Sequence, residues 1–409
     1  MATAAAWGSR RTIAIALIVL LGLAVFLNYV DRGAIGIAAP LLTTDLRLDP
    51  AQFGWVLSAF YWAYALVQLF VGRLIDRYSV YRLMSLGLFL WAVATALIGF
   101  AQGFLSLLVL RVLLGMGETI AFPGGSKIIA RHVPDERRGL ANAAMALGIA
   151  LGPVAGTLAG GFILAAYGWQ AIFFLFGAVT LLWLVPWEMT IRAVEDPELT
   201  EPALDVPMSA IIGRWSLWSM SIAHVASNYV FYFLLGWLPL FLTKSRGLPI
   251  REMTLIATAG FAVQAVSALA SGWASDWWVK RGRSEDRVRR TMMIAGQLLA
   301  ALAVLGLIVA QTPAELTLVL CVAGLASGAL SLNTYAVAQM FSGPRAAGTW
   351  VGIQNAIGNL SGIFGLPLTG YIVKYAGYNA ACAVTAAIAA AGAIWWIVGV
   401  PKIRRIELD

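Results

Sequence analysis

Residues 12 to 40 form one long apolar run interrupted by a single acid and a single base, Asp31 and Arg32, side by side in Asn28-Tyr29-Val30-Asp31-Arg32. A run of that length crosses a hydrocarbon core of about 30 Å, where the backbone must satisfy its own hydrogen bonds and therefore folds as a helix. Eleven further runs follow, at roughly 52–75, 81–101, 103–131, 138–166, 170–190, 215–243, 250–275, 291–311, 314–341, 346–375 and 378–401. The chain is 60% hydrophobic and only 12% charged, which excludes a soluble globular domain. Its net charge of +8 sits in short loops between the runs, so the expected partner is a lipid bilayer and not nucleic acid. The expected fold is an all-α membrane protein with twelve transmembrane helices.

With the N-terminus inside, the inner segments collect most of the arginines, from Arg10 and Arg11 to the cluster at 280–290 and Lys402–Arg405. The outer segments hold only Arg47, Lys244, Arg246, Arg251 and Lys374. This asymmetry places both termini in the cytoplasm of a cell (inner) membrane. Asp31 and Arg32 stand where a signal peptide would need small residues, so the first run stays as a span. Cys321 and Cys382 lie in apolar runs without metal-ligand spacing and read as packing residues, so no metal is expected.

The chain also repeats. Gly72-Arg73-Leu74-Ile75-Asp76-Arg77 ends the second run and Gly272-Trp273-Ala274-Ser275-Asp276 the eighth, so Asp76 and Asp276 stand 200 residues and six spans apart. Between the halves, residues 191–214 are polar and proline-bearing. The expected domains are an N-terminal six-helix bundle, 1–190, a cytoplasmic linker, 191–214, and a C-terminal six-helix bundle, 215–409. Duplicated six-span halves suit a rocking carrier with its site near the midplane.

The partial form Gly72-x-Leu74-x-Asp76-Arg77 resembles the signature loop of the major facilitator superfamily. Four further stretches resemble its anion:cation symporter branch, which includes sugar-acid transporters and the sialin and vesicular glutamate carriers. They are Asn28 to Arg32, Ser58-Ala59-Phe60-Tyr61-Trp62-Ala63-Tyr64, Arg111-x3-Gly115-x2-Glu118-x3-Phe122-Pro123, and Tyr232-Phe233-Leu234-Leu235-Gly236-Trp237-Leu238-Pro239. The resemblance covers essentially the whole chain and implies the major facilitator fold, two pseudo-symmetric bundles working by alternating access.

Ions inside a span cost about 2.5–3.5 kcal/mol each and are normally kept for function. Arg111 and Glu118 are seven residues apart, two helical turns, and share a face about 10 Å apart along the axis. Depth makes both an Asp31–Arg111 and an Arg32–Glu118 pair geometrically reasonable. Desolvation favours a neutral acid and a nearby guanidinium favours the carboxylate, so a small rearrangement takes up or releases a proton. Asp31 and Glu118 are therefore the expected proton-coupling residues, as the resemblance also implies. Arg32 is the expected fixed charge for a solute carboxylate, which a guanidinium can hold bidentately.

Tyr29 and Tyr64 match substrate-contacting positions of the family, and Gln68 follows Tyr64 on the same face. Arg111, near a helix end, and Lys127, nine residues past Glu118 and beyond Pro123, complete the substrate-binding candidates of the first half. The second half offers His224, Asn228, Tyr232, Gln264, Asn333, Gln339, Gln354, Asn355 and Asn359, and the resemblance singles out Asn355. Gly72, Asp76, Arg77, Gly272 and Asp276 are the expected gate, the aspartates accepting hydrogen bonds from a neighbouring helix N-terminus.

The expected function is a proton-coupled symporter that imports a small organic anion, such as a sugar acid or aromatic acid, as a monomer and with no cofactor besides protons. The alternative is a proton-driven antiporter exporting hydrophobic drugs or metabolites. It rests on Gly148-x3-Gly152-Pro153, which resembles a motif of drug:proton antiporters, and on Ile149, where some sugar-acid carriers place a polar side chain. No nucleophile, His cluster or cofactor fingerprint points to an enzyme, and no soluble signalling domain points to a sensor.

Overall fold

The computed structural model describes residues 2–133, 138–192, 194 and 208–406, and of residues 2–11, 69, 72, 73, 76, 332, 344 and 345 it describes the backbone only. All regular structure among them is helical: α1 (Ala2–Asp45), α2 (Pro50–Arg77), α3 (Val80–Ile98), α4 (Phe104–Glu118), α5 (Ala121–His132), α6 (Arg138–Tyr167), α7 (Trp169–Ile191), α8 (Met208–Ile212), α9 (Trp215–Gly236), α10 (Leu238–Leu240), α11 (Ile250–Lys280), α12 (Glu285–Val309), α13 (Pro313–Gly358) and α14 (Leu366–Val398).

Nine helical stretches among the described residues are long and apolar enough to cross a membrane, or ten if the bent pair Trp215–Gly236 and Leu238–Ser245 is one span. Two features reconcile this with twelve. The stretch Ala346–Val398 is 53 residues long, about 80 Å if straight. Gly377 inside it takes φ 81°, so the chain turns there and crosses twice. Helix α2 supplies the remaining span, with no charged residue from Pro50 to Gly72.

Proline decides where spans break. Pro123 has no N–H to offer the carbonyl of Thr119, and the expected span 103–131 is divided at Thr119–Ile120, so that Glu118 closes α4. Pro239 follows the bend at Trp237 in the same way. Pro367 follows a π-helical turn, Ser361–Gly365, and cannot bond the carbonyl of Ile363. That carbonyl instead accepts the Ser58 hydroxyl at 2.6 Å.

The residues that follow the second and eighth apolar runs, where the signature-loop resemblance lies, are partly helix. α2 runs on to Arg77 and α11 to Lys280, because neither Arg73–Arg77 nor Trp273–Lys280 contains a glycine or proline to stop it.

The helices form two compact units, Met1–Leu42 with Ala59–Pro202 and Thr43–Ser58 with Ala203–Asp409. In the first, α3 packs on α4 and α7 around buried Trp91, Phe173 and Trp187. α6 meets α1 through glycines: a Cβ on Gly148 would lie 2.7 Å from the Gly22 carbonyl, and one on Gly152 2.4 Å from Tyr29 Cβ. In the second, α13 lies against α9, α11 and α12, and α14 against α9 and α12, around Met220, Phe341, Trp350 and Trp396. Thr43–Ser58 joins this unit by backbone contact, since a Cβ on Gly54 would meet the Leu366 carbonyl at 2.7 Å.

Candidate functional site

Three helices of the first unit converge on the ions of α1. Arg32 Nε donates to Glu118 Oε2 at 2.9 Å, and the two side chains are 8% and 0% exposed. This is one of the two pairs the sequence allowed. The Arg32 guanidinium also lies over three rings, Tyr29 at 5.1 Å, Phe60 at 5.1 Å and Tyr64 at 4.7 Å from carbon to centroid. Such contacts contribute about 0.5–2 kcal/mol each, most where water is excluded. The ring of Phe60 carries a second cation, Arg111, at 5.0 Å, and stacks on Tyr64. Tyr29 is fixed in turn by an edge contact with Phe122.

Asp31 takes partners that charge alone did not suggest. Its Oδ2 accepts from the Trp91 indole at 2.5 Å and from the Thr95 hydroxyl at 3.4 Å. Both donors lie on α3 at a spacing of four, which puts them on one face. Their only sign in the sequence was that spacing of an indole and a hydroxyl inside an apolar run. Phe60 was equally silent, since a phenylalanine in a span reads as packing.

The site is polar, buried and incompletely satisfied. Asp31 Oδ1, Glu118 Oε1, Arg32 Nη2 and both amide atoms of Asn28 are buried without a hydrogen-bond partner. Asn28 stands beside Glu118, and Thr180 beside Asp31, close enough to interact though outside hydrogen-bonding geometry. Buried unsatisfied groups cost about 1–3 kcal/mol each, more when charged. The arrangement thus leaves one guanidinium nitrogen and two carboxyl oxygens buried without hydrogen-bond partners.

Other expected residues lie elsewhere. Gln68 is half-buried on α2, one turn beyond Tyr64. Lys127 Nζ donates to the Ile75 carbonyl at 2.6 Å, which ties α5 to the end of α2. Asn355 belongs to the second unit, where its Oδ1 accepts from Tyr335 at 3.3 Å. Nearby, Tyr232 donates to Asn359 Oδ1 at 2.6 Å, and His224 packs edge-on against Tyr335. Of the expected gate, Gly72 and Asp76 lie outside the residues whose side chains are described, and Arg77 is exposed at the end of α2. Gly272 is half-buried on α11. Asp276 is met by the Arg289 guanidinium of α12 at 3.7 Å, where a helix N-terminus was expected.

The family model described as Major Facilitator Superfamily matches residues 21–284 and 282–407. The chain belongs to the major facilitator superfamily. Membership makes it a multi-pass membrane carrier and not an enzyme. The fold of this superfamily member is shared with a solved bacterial homolog of the human lysosomal transporter Spinster, in an inward-facing and occupied conformation, at TM-score 0.81 and 20% identity, covering 94% of this chain and 96% of that one. In sequence it is 30% identical over 381 residues to the hexuronate transporter of Bacillus subtilis (strain 168), covering 88% of each. A probable galactarate/D-glucarate transporter of the same organism is 28% identical over 98% of this chain and 95% of its own length. A probable chloroplastic anion transporter of Oryza sativa subsp. japonica is 29% identical over 90% of this chain, which spans only 65% of that protein's length.

Proposed function

We propose that this chain is a proton-coupled symporter that imports a small organic anion by alternating access. The observation that carries the reading is the buried Arg32–Glu118 pair, in which the guanidinium keeps a buried Nη2 without a hydrogen-bond partner. The relatives named as carriers of hexuronate and of galactarate/D-glucarate handle sugar acids, and a sugar-acid carboxylate is what a guanidinium edge recognises.

Protonation of Glu118 would release Arg32 Nε, and the guanidinium would then close on the solute carboxylate. Asp31, held by α3 rather than by the guanidinium, would take the second proton. Tyr29, Tyr64, Gln68 and Arg111 would line the approach, and Asn355 would supply a hydrogen bond from the C-terminal bundle. The moving bodies are the bundles 1–190 and 215–409 joined by the linker 191–214, with both termini cytoplasmic and the carrier working as a monomer.

Proteoliposome uptake of a hexuronate under an imposed inward proton gradient tests this. Asp31→Asn and Glu118→Gln are expected to lower gradient-driven uptake at least tenfold. Uptake equal to wild type in both variants rejects the assigned roles.

A further inference from the structure

The start of α3 and the end of α7 lie at the same end of the first unit and line an open groove of about 580 Å³ that plays no part in the site above. Two helical stripes face it. On α3 the stripe is Arg82, Ser85, Leu86 and Phe89, at spacings of three, four and seven; on α7 and its C-cap it is Arg192, Glu188 and Leu184, at spacings of four and eight. Each stripe is charged at the helix end and apolar one to two turns further in.

The charges are arranged to receive an anion. Among the described residues neither the Arg82 nor the Arg192 guanidinium has a hydrogen bond or ion pair. The lining's one acid is already engaged: Glu188 accepts from the Ser85 hydroxyl, which itself accepts from the buried Trp187 indole at 3.0 Å. The lining therefore keeps a net positive charge at its polar end. Its apolar wall is open, with Leu86 64% and Phe89 53% exposed. On a membrane-spanning helix such faces meet acyl chains, and Phe89 stands about 10 Å along the axis from Arg82. A soluble anion has no use for that wall, and a soluble protein could not reach it.

We propose that this groove binds an anionic glycerophospholipid, with its phosphodiester between Arg82 and Arg192 and an acyl chain along Leu86, Phe89 and Leu184. The headgroup is of the phosphatidylglycerol type, because a headgroup hydroxyl can donate to Glu188 while the net positive lining selects against a zwitterion. A lipid held there would bridge α3, which carries Trp91 and Thr95, to α7, which carries Thr180.

The test uses the full-length protein, delipidated in detergent. Retained lipid is counted by native mass spectrometry, and melting is followed on adding phosphatidylglycerol, phosphatidylcholine or soluble glycerol phosphate. Phosphatidylglycerol is expected to be retained and to raise the melting temperature, and the other two are not. Arg82→Ala with Arg192→Ala is expected to weaken retention about thirtyfold, from two juxtamembrane charges. Because both arginines are exposed, melting without added lipid should match wild type. Leu86→Trp, which fills the groove and leaves both charges, is expected to abolish retention by a second route. Equal retention of phosphatidylcholine, an equal gain from glycerol phosphate, or wild-type retention in either variant overturns the proposal.

Discussion

Arg32 reaches one carboxylate and three rings from a single side chain, and only a guanidinium can do this. Lysine would keep the charge but lose the planar fork and the stacking on Tyr29, Phe60 and Tyr64. Arg32→Lys is therefore expected to fold and to raise the KM for anion uptake about tenfold or more, read from proteoliposome kinetics; an unchanged KM would remove Arg32 from the substrate site. The ions themselves were legible in the sequence, because a charge inside an apolar run has no cheap structural explanation. Their surroundings were less so. The sequence allowed Asp31 to pair with Arg111 but carried no distances across helices, and the Trp91 indole that holds Asp31 looks like any other apolar residue of a span. Lys127 stood out for its charge, and its Nζ donates to the Ile75 carbonyl near the end of α2.

At the level of helices, the close approaches are made by glycine. A Cβ on Gly115 of α4 would stand 2.2 Å from the Phe60 carbonyl of α2, and Phe60 is the ring that both Arg32 and Arg111 pack on. Gly115→Ala must push α2 from α4 and is expected to lower stability by about 1–3 kcal/mol, as overpacking does. Gly352, on α13, meets nothing within 4 Å of its would-be Cβ. Gly352→Ala should be neutral or stabilising by up to about 1 kcal/mol through helix propensity. Melting of the two variants side by side checks the contrast, and an equal effect would refute the close-packing account. The same reasoning bears on Gly148, Gly152 and Gly156: their contacts with α1 explain the motif as packing, without reference to drug export. Span positions were readable from apolar runs, whereas helix ends were not. The sequence held Pro123, Pro239 and Pro367, but how far each disturbance spreads depends on neighbours such as Ser58.

For the whole molecule, the count of crossings makes a prediction independent of any side-chain role. Arg283 lies between α11 and α12, and Tyr375 just before the turn at Gly377. Three crossings separate them: α12, the part of α13 before the break at Gly343, and the stretch from Ala346 to that turn. An odd number puts them on opposite faces. The excess of basic residues in the segments on Arg283's side makes the cytoplasm the side expected for it. In a background with Cys321 and Cys382 replaced by serine, Tyr375→Cys should react with a membrane-impermeant maleimide on intact cells, and Arg283→Cys only after permeabilisation. Both sites are exposed, so access and not burial sets the labelling. The reverse pattern would invert the orientation while keeping the count. Labelling of both from one side would break the count itself, and with it the argument that a glycine turn divides the longest helical stretch into two spans.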